Sequence, residues 1–329
     1  MTSVPATEEP EAQATPVARL QGAATGDRIF RLVLTIAALG IPVLLGFLVW
    51  ELVKGSQPAI AKFGFHFFTT STWDPVADQF GALPLIFGTL ISSLLALLIA
   101  VPLSLGVAIF LTEFAPPIVR RPIAFVVELL AAIPSVVYGL WGIFVLIPFL
   151  RASVFPLLRD GLGFLPFFQG TIYGPSMLSA GIILAIMVMP YIMSVAREVL
   201  ATVPGSQREA ALALGATRWE AAWTAVVPYA RSGIVGAVIL GLGRALGETM
   251  AVTMLIGNRH EIATSLFAPG YTMAAAIANE FSEAATEMHY AALAYVALAL
   301  FGVTVVVNAA ARLLIWKVSK GRPSGGAGL

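Results

Sequence analysis

Six apolar runs constrain this chain more than any other feature: Phe30 to Val53, Leu83 to Thr112, Phe125 to Leu150, Met177 to Ala196, Gly233 to Ile256 and Tyr290 to Ile315. Each has the roughly 20 residues that a helix needs to cross a hydrocarbon core about 30 Å thick. A backbone in lipid must satisfy its own hydrogen bonds, so runs of this length are expected to be helices. Composition agrees, since only 11% of the 329 residues are charged, against about 25% in soluble domains. The expected fold is an all-α integral membrane protein with six spans. The second run, at about 45 Å of helix, overshoots the core, so it must tilt, bend near Pro102 or project beyond it.

Basic residues near span ends give the orientation. With the amino terminus inside, the inner face holds Arg19, Arg28, Arg31, Arg120, Arg121, Arg197, Arg208, Arg218, Arg231, Arg312, Lys317, Lys320 and Arg322. The outer face then holds only Lys54, Lys62, Arg151, Arg159 and Arg259. Both termini are therefore expected in the cytoplasm, with outer segments at about 54–82, 151–176 and 257–289 and one long inner loop at about 197–231. Residues 1–27, rich in Ala, Pro, Thr and Glu without apolar periodicity, read as a disordered cytoplasmic tail with no signal-peptide pattern. Residues 28–82 read as the first span and its outer segment, 83–316 as the transmembrane core, and 317–329 as a second cytoplasmic tail. Trp50, Trp73, Trp141 and Trp316 fall near span ends, where an interfacial aromatic belt would place them.

Several chemistries are excluded at this level. Zero cysteines rule out disulfides and thiol catalysis. His66, His260 and His289 are not at metal-ligand spacing, so no metal site is expected and they read as solvated loop or interface residues. The scattered basic residues form no nucleic-acid patch, and no nucleophile–base constellation is evident. No G-x-x-x-x-G-K-[ST] phosphate loop is present, so ATP hydrolysis would belong to another polypeptide.

The fifth run carries Arg244 near its middle, where a cation costs about 2.5–3.5 kcal/mol on insertion scales. One reading makes Arg244 an anion-handling residue on a transport pathway. The other makes Arg244 and Glu248, one helical turn apart, a buried pair that only fixes packing. Gly236, Gly243 and Gly247 give the same run a small-residue face suited to a neighbouring helix. Glu128, at the inner end of the third run, reads as an interfacial carboxylate. Asn279 and Glu280 read as solvated loop residues.

The inner loop is the second informative feature. Good helix formers run from Ser206 to Leu214, Gly215 supplies a turn needing positive φ, and a second helical stretch is expected to end at Val227-Pro228. This loop resembles that of the permease subunits of binding-protein-dependent ABC importers, whose motif is E-A-A, three residues, Gly, nine residues, then Ile-x-Leu-Pro. Glu209, Ala210, Ala211 and Gly215 match in identity and spacing and Pro228 falls in place, while Ala225 and Val227 replace the Ile and Leu. The resemblance implies a type I importer permease fold. It also implies a coupling helix that docks on a separate ATPase, with Glu209, Ala210, Ala211 and Gly215 as contact and turn residues and Arg218 as a polar partner.

Four further motifs narrow the resemblance: Thr72-Trp73-Asp74-Pro75, Gly88-Thr89-Leu90, Ile133 through Gly142, and Gly243 through Val252. Over residues 28–320 they are similar to the phosphate importer permease of PstC type. The paired permease, PstA, usually lacks the Trp141-Gly142 and Glu248-to-Val252 wording. The resemblance implies a multi-pass protein of a prokaryotic inner membrane with four kinds of partner. These are a second permease of PstA type, a homodimeric ATPase that holds ATP and Mg, a periplasmic or lipid-anchored phosphate-binding protein, and inorganic phosphate itself. No cofactor is expected on this chain.

The residues themselves agree in part. Arg244 presents a planar fork of donors suited to a tetrahedral oxyanion. An ionised Glu248 can only accept hydrogen bonds, which favours an anion that still carries a proton, as phosphate does at neutral pH and sulfate does not. Glu248 would neutralise Arg244 in the empty site and yield to the passing anion, which must bind weakly enough to leave. Thr249, Ser135, Thr89, Ser92 and Ser93 are candidate hydroxyl donors on the pathway, each also explicable as a helix-packing hydroxyl. Two alternatives stay open: a permease for another oxyanion such as sulfate, molybdate or phosphonate, and an ATPase-independent secondary transporter, whose internal repeats are not evident.

Overall fold

The structure, a computed structural model, describes residues 21–320. Residues 1–20 and 321–329 of the two expected tails lie outside it. The parts of those tails that are described are helical, since α1 (Gln21–Phe63) begins at Gln21 and the last helix runs to Lys320. The chain divides into two units, up to Glu51 and from Leu52 onward. In the first, α1 is apolar on every side, with Ile36, Ile41, Leu44 and Phe47 all exposed, as a lipid-facing span requires.

The second unit continues from the end of α1 through a short turn (Gly64–Phe68) into a two-stranded hairpin, β1 (Trp73–Asp74) and β2 (Gln79–Phe80). Then come α2 (Leu83–Ile109), extended by a π turn (Phe110–Phe114), and α3 (Pro117–Ala132). The next span is a chain of short pieces, α4 (Ser135–Trp141), α5 (Ile147–Phe149) and α6 (Phe155–Leu162), joined by π turns at Gly142–Leu146 and Leu150–Val154. After it lie α7 (Met177–Ala201), α8 (Gly205–Ala213) and α9 (Arg218–Ala221), and a π turn (Ala222–Val226) leads into α10 (Val227–Gly247). The unit closes with α11 (Met250–Ile256), α12 (Met273–Glu280) and α13 (Glu287–Lys320).

Among the described residues, six helical stretches are long and apolar enough to cross a membrane: Asp27–Phe68, Leu83–Phe114, Ser135–Leu162, Met177–Ala201, Arg218–Gly247 and Glu287–Leu313. The number six holds, but the third and fifth spans are shifted. Phe125–Leu150 is not one helix. Pro134 disfavours helical geometry at the residue before it, and Ile133 and Pro134 are both extended, with ψ of 128° and 141°. The fifth span starts earlier and stops sooner than expected. Pro228 does not end the second loop helix, because the π turn just before it takes up the backbone its ring would otherwise strike. At the other end α10 stops at Gly247, a poor helix former, and Glu248 is extended with ψ of 128°.

The core centres on α7. Two-thirds (67%) of its most apolar window is buried, against no more than a third in the other spans of this unit. Ile183, Leu184, Met187, Val188 and Ile192 are shielded completely or nearly so. Apolar helices gain little hydrophobic energy from meeting one another in lipid, so close van der Waals packing over small residues must hold them. Gly241 of α10 shows the closeness: a Cβ there would stand 2.6 Å from Ile192 Cγ1. Gly139 and Gly142 bring α4 equally near Met254 and Leu255. A smaller core at the hairpin end contains Phe67, Phe80, Tyr271 and Met273, with Phe67 stacked on Tyr295 at 4.4 Å between centroids.

Candidate functional site

Arg244 sits in the last turn of α10, with its guanidinium over the ring of Tyr191 on α7, 4.4 Å from the centroid. A desolvated contact of this kind is worth about 2 kcal/mol. The Tyr191 hydroxyl donates to the carbonyl of Ala131, and Tyr138 donates to that of Leu130, each at 2.9 Å. Both carbonyls lie in the last turn of α3, where Pro134 has no N–H to offer and the Ile133 N–H turns back to the Leu130 carbonyl at 3.3 Å. The end of α3 before that break thus supplies the acceptor that orients Tyr191, the Ala131 carbonyl, and Tyr191 in turn carries Arg244.

The expected Arg244–Glu248 pair is not made. Because α10 ends at Gly247, Glu248 lies past the helix, and its Oε1 accepts from the Ala251 N–H at 3.3 Å, capping α11. Among the described residues Arg244 has no carboxylate within ion-pair distance, and its buried Nε has no hydrogen-bond partner. Both side chains nevertheless line one cleft of about 1170 Å³, together with Tyr191, Thr304, Asn308 and Arg312. Gly236, Gly243 and Gly247 line it too, with nothing within 4 Å of where their Cβ atoms would be. Among the described residues, the small-residue face has no helix against it.

The candidate hydroxyls lie elsewhere. Thr89 is buried, donating to the Leu85 carbonyl at 2.8 Å and accepting from the Met273 N–H at 2.9 Å. A Cβ on the adjacent Gly88 would stand 1.9 Å from the Tyr271 carbonyl oxygen. Gly88-Thr89 is thus a seam between α2 and the start of α12. Ser135 opens α4, and Thr249 donates to the Gly247 carbonyl at 3.3 Å; neither lines the cleft. Ser92 bonds back to Thr89, and the buried Ser93 hydroxyl has no partner among the described residues. Sequence reasoning missed Tyr191, Thr304 and Asn308. The last two were legible as a polar stripe with Arg312, four residues apart on one face of an apolar helix.

At the opposite end from the hairpin, α8 and α9 meet at Gly215, whose φ is +88°. Thr217 caps α9 in a reciprocal box with Glu220. Glu209, Ala210 and Arg218 are exposed, Ala211 is half-buried, and Leu214 stands 90% exposed. What fastens this loop is Arg208, which grips Glu113 through two hydrogen bonds of 2.9 and 2.8 Å and also reaches the carbonyls of Leu200 and Val203. Glu128 pairs with Arg197 at 3.2 Å.

The hairpin end departs most from expectation. Glu280 is not solvated: its side chain is 13% exposed and accepts from Trp73 Nε1 at 2.8 Å. His289 Nε2 lies 3.2 Å from Oε2, and His260 Nε2 lies 3.1 Å from Oε1 without hydrogen-bond alignment. Trp73, read as a belt residue, instead stacks face to face on His260. Burial alone would push the Glu280 carboxyl up, but His260, Trp73 and His289 together hold it below the usual carboxylate range.

Comparison with known proteins agrees with this architecture. Residues 100–320 match the family described as binding-protein-dependent transport system inner membrane component. The chain is 48% identical over 296 residues, 89% of its length and 90% of the relative's, to the phosphate transport system permease protein PstC of Mesorhizobium japonicum. It is 46% identical over 298 residues to the protein of that name from Haemophilus influenzae, covering 89% and 94%. Among solved structures, a bacterial alginate ABC transporter in complex with an alginate-bound periplasmic protein aligns with a TM-score of 0.58 at 17% identity, covering 89% of this chain and 98% of that one. With six spans, a glycine-elbowed loop and relatives of this identity along nearly its whole length, the chain belongs to the inner-membrane permeases of binding-protein-dependent transport systems, among those of PstC type.

Proposed function

We propose that this chain is the permease subunit of an ATP-driven phosphate importer and forms, with a second permease of PstA type, the path of inorganic phosphate across a prokaryotic inner membrane. The observation that carries the reading is Arg244, a permanent cation on a membrane cleft with no carboxylate partner among the described residues, in a chain nearly half identical to phosphate permeases. Its in-plane donors suit a tetrahedral oxyanion, and the stack on Tyr191 holds the guanidinium without neutralising it. Glu248 supplies an acceptor on the same cleft, which favours a protonated phosphate over sulfate.

A homodimeric ATPase holding ATP and Mg would dock on the exposed faces of α8 and α9, through Glu209, Ala210, Ala211, Gly215 and Arg218. The Arg208–Glu113 grip would carry its movement into α2. Both termini would then be cytoplasmic, and a periplasmic or lipid-anchored phosphate-binding protein would deliver at the hairpin end. The test is reconstitution of this chain with the second permease, the ATPase and the binding protein in vesicles. Phosphate uptake should require ATP and resist competition by sulfate. Uptake that persists without the ATPase would favour a secondary transporter, and strong sulfate competition would favour another oxyanion.

A further inference from the structure

On α13, the stretch from Phe301 to Leu313 is apolar except for Thr304, Asn308 and Arg312. Their spacing of four puts them on one helix face, over about 12 Å of helix axis. All three line the cleft that holds Arg244 and Glu248. The Asn308 amide donates only to its own helix, to the Thr304 carbonyl at 2.9 Å. Arg312 has no carboxylate within ion-pair distance among the described residues. The cleft thus brings two cations to one carboxylate, with a hydroxyl and an amide along the helix between Val303 and Arg312. Polar side chains at this depth are expensive unless they face protein or a passing solute. Glycines opposite them, Gly236, Gly243 and Gly247, leave the space open.

We propose that Thr304, Asn308 and Arg312 continue the anion's path beyond Arg244 toward the end of the bundle where α13 terminates. Asn308 acts as an intermediate hydrogen-bond donor and Arg312 as the exit cation. A second weak site lets an anion leave the first without being trapped there. The inference rests on the phosphate reading and adds to it the inner half of the path. Two other uses of the stripe are packing against the second permease and simple anchoring of the helix end by Arg312.

The absence of cysteine from this chain makes the test direct. In the full reconstituted transporter, with its other subunits made cysteine-free, Asn308→Cys is compared with Val306→Cys, whose native side chain is 66% exposed on α13. The Asn308→Cys thiol should react with an anionic methanethiosulfonate at least about tenfold faster than with a cationic one. Millimolar inorganic phosphate should slow that reaction several-fold, and the Val306→Cys thiol should not respond. An unreactive Asn308→Cys thiol, or labelling indifferent to phosphate, overturns the path in favour of packing. In parallel, Arg312→Gln should lower phosphate kcat about tenfold with KM unchanged and assembly intact, and Arg312→Lys should restore most of it. Loss of the assembled complex from the membrane with Arg312→Gln points to anchoring and overturns the exit role. If the parent complex moves phosphate while both variants are silent, the path fails and the importer reading stands; a parent that moves none removes both.

Discussion

Tyr191 fixes the Arg244 guanidinium by its ring and leaves the edge of the guanidinium to the cleft, while Glu248 is turned to the start of α11. This division predicts different outcomes for three variants. Arg244→Gln should abolish phosphate uptake while the complex still assembles, measured as transport against subunit recovery from membranes. Tyr191→Phe keeps the ring and loses only the bond to Ala131, so uptake should fall little; Tyr191→Ala removes the stack and should cost about tenfold, the equivalent of 1.4 kcal/mol. Glu248→Gln keeps an acceptor for the Ala251 N–H, so the protein should fold, but sulfate should compete better; unchanged selectivity would sink the proton-sensing role. Arg244 was legible because a cation in an apolar run stands out. Tyr191 was not, since its value comes from one carbonyl on α3 and a guanidinium on α10, and no spacing announces such a meeting.

Two breaks organise the elements around that residue, and they differed in legibility for a physical reason. The α3–α4 break is written in Pro134, which restricts the residue before it, although the apolar pattern running across it hid the consequence. The α10–α11 break has no proline. It rests on weak helix propensity at Gly247 and a carboxylate that caps the next helix, and both look helical in an apolar window. Gly215 was legible as an elbow, whereas the grip of Arg208 on Glu113, 95 residues apart, was not. That grip predicts that Glu113→Gln, isosteric but uncharged, uncouples the ends: ATP hydrolysis by the assembled complex should persist while phosphate moved per ATP falls several-fold. The Gly88 seam gives an independent check, since its Cβ would collide with backbone at Tyr271. Gly88→Ala should lower thermal stability in detergent by several degrees, and an unchanged midpoint would contradict the close approach.

At the scale of the whole unit, the hairpin end is tied by one carboxylate reached from three places, Trp73 on β1, His260 in the loop after α11 and His289 on α13, with the Trp73 contact spanning 207 residues. Six apolar runs foretold the spans, but no sequence pattern foretold this tie, because its members are polar residues in connections that individually look solvated. Its energetics fix a pH dependence. The neighbours hold the Glu280 carboxyl below its ordinary range in the folded chain, so the stability it contributes is complete above the ordinary carboxylate range and is lost as pH falls through the lower folded value. Tyr271 and Glu283 also face this cluster, and burial pushes the Tyr271 hydroxyl up, so it stays uncharged across the acid range. Thermal unfolding followed by Trp fluorescence should therefore show the wild type losing stability in acid. Glu280→Gln should begin less stable near neutral pH, by about 1.5–3 kcal/mol for a lost charge-assisted acceptor, and should be nearly flat over the same acid range. An equally steep acid loss in that variant would move the dependence to another carboxylate and leave Glu280 a packing residue.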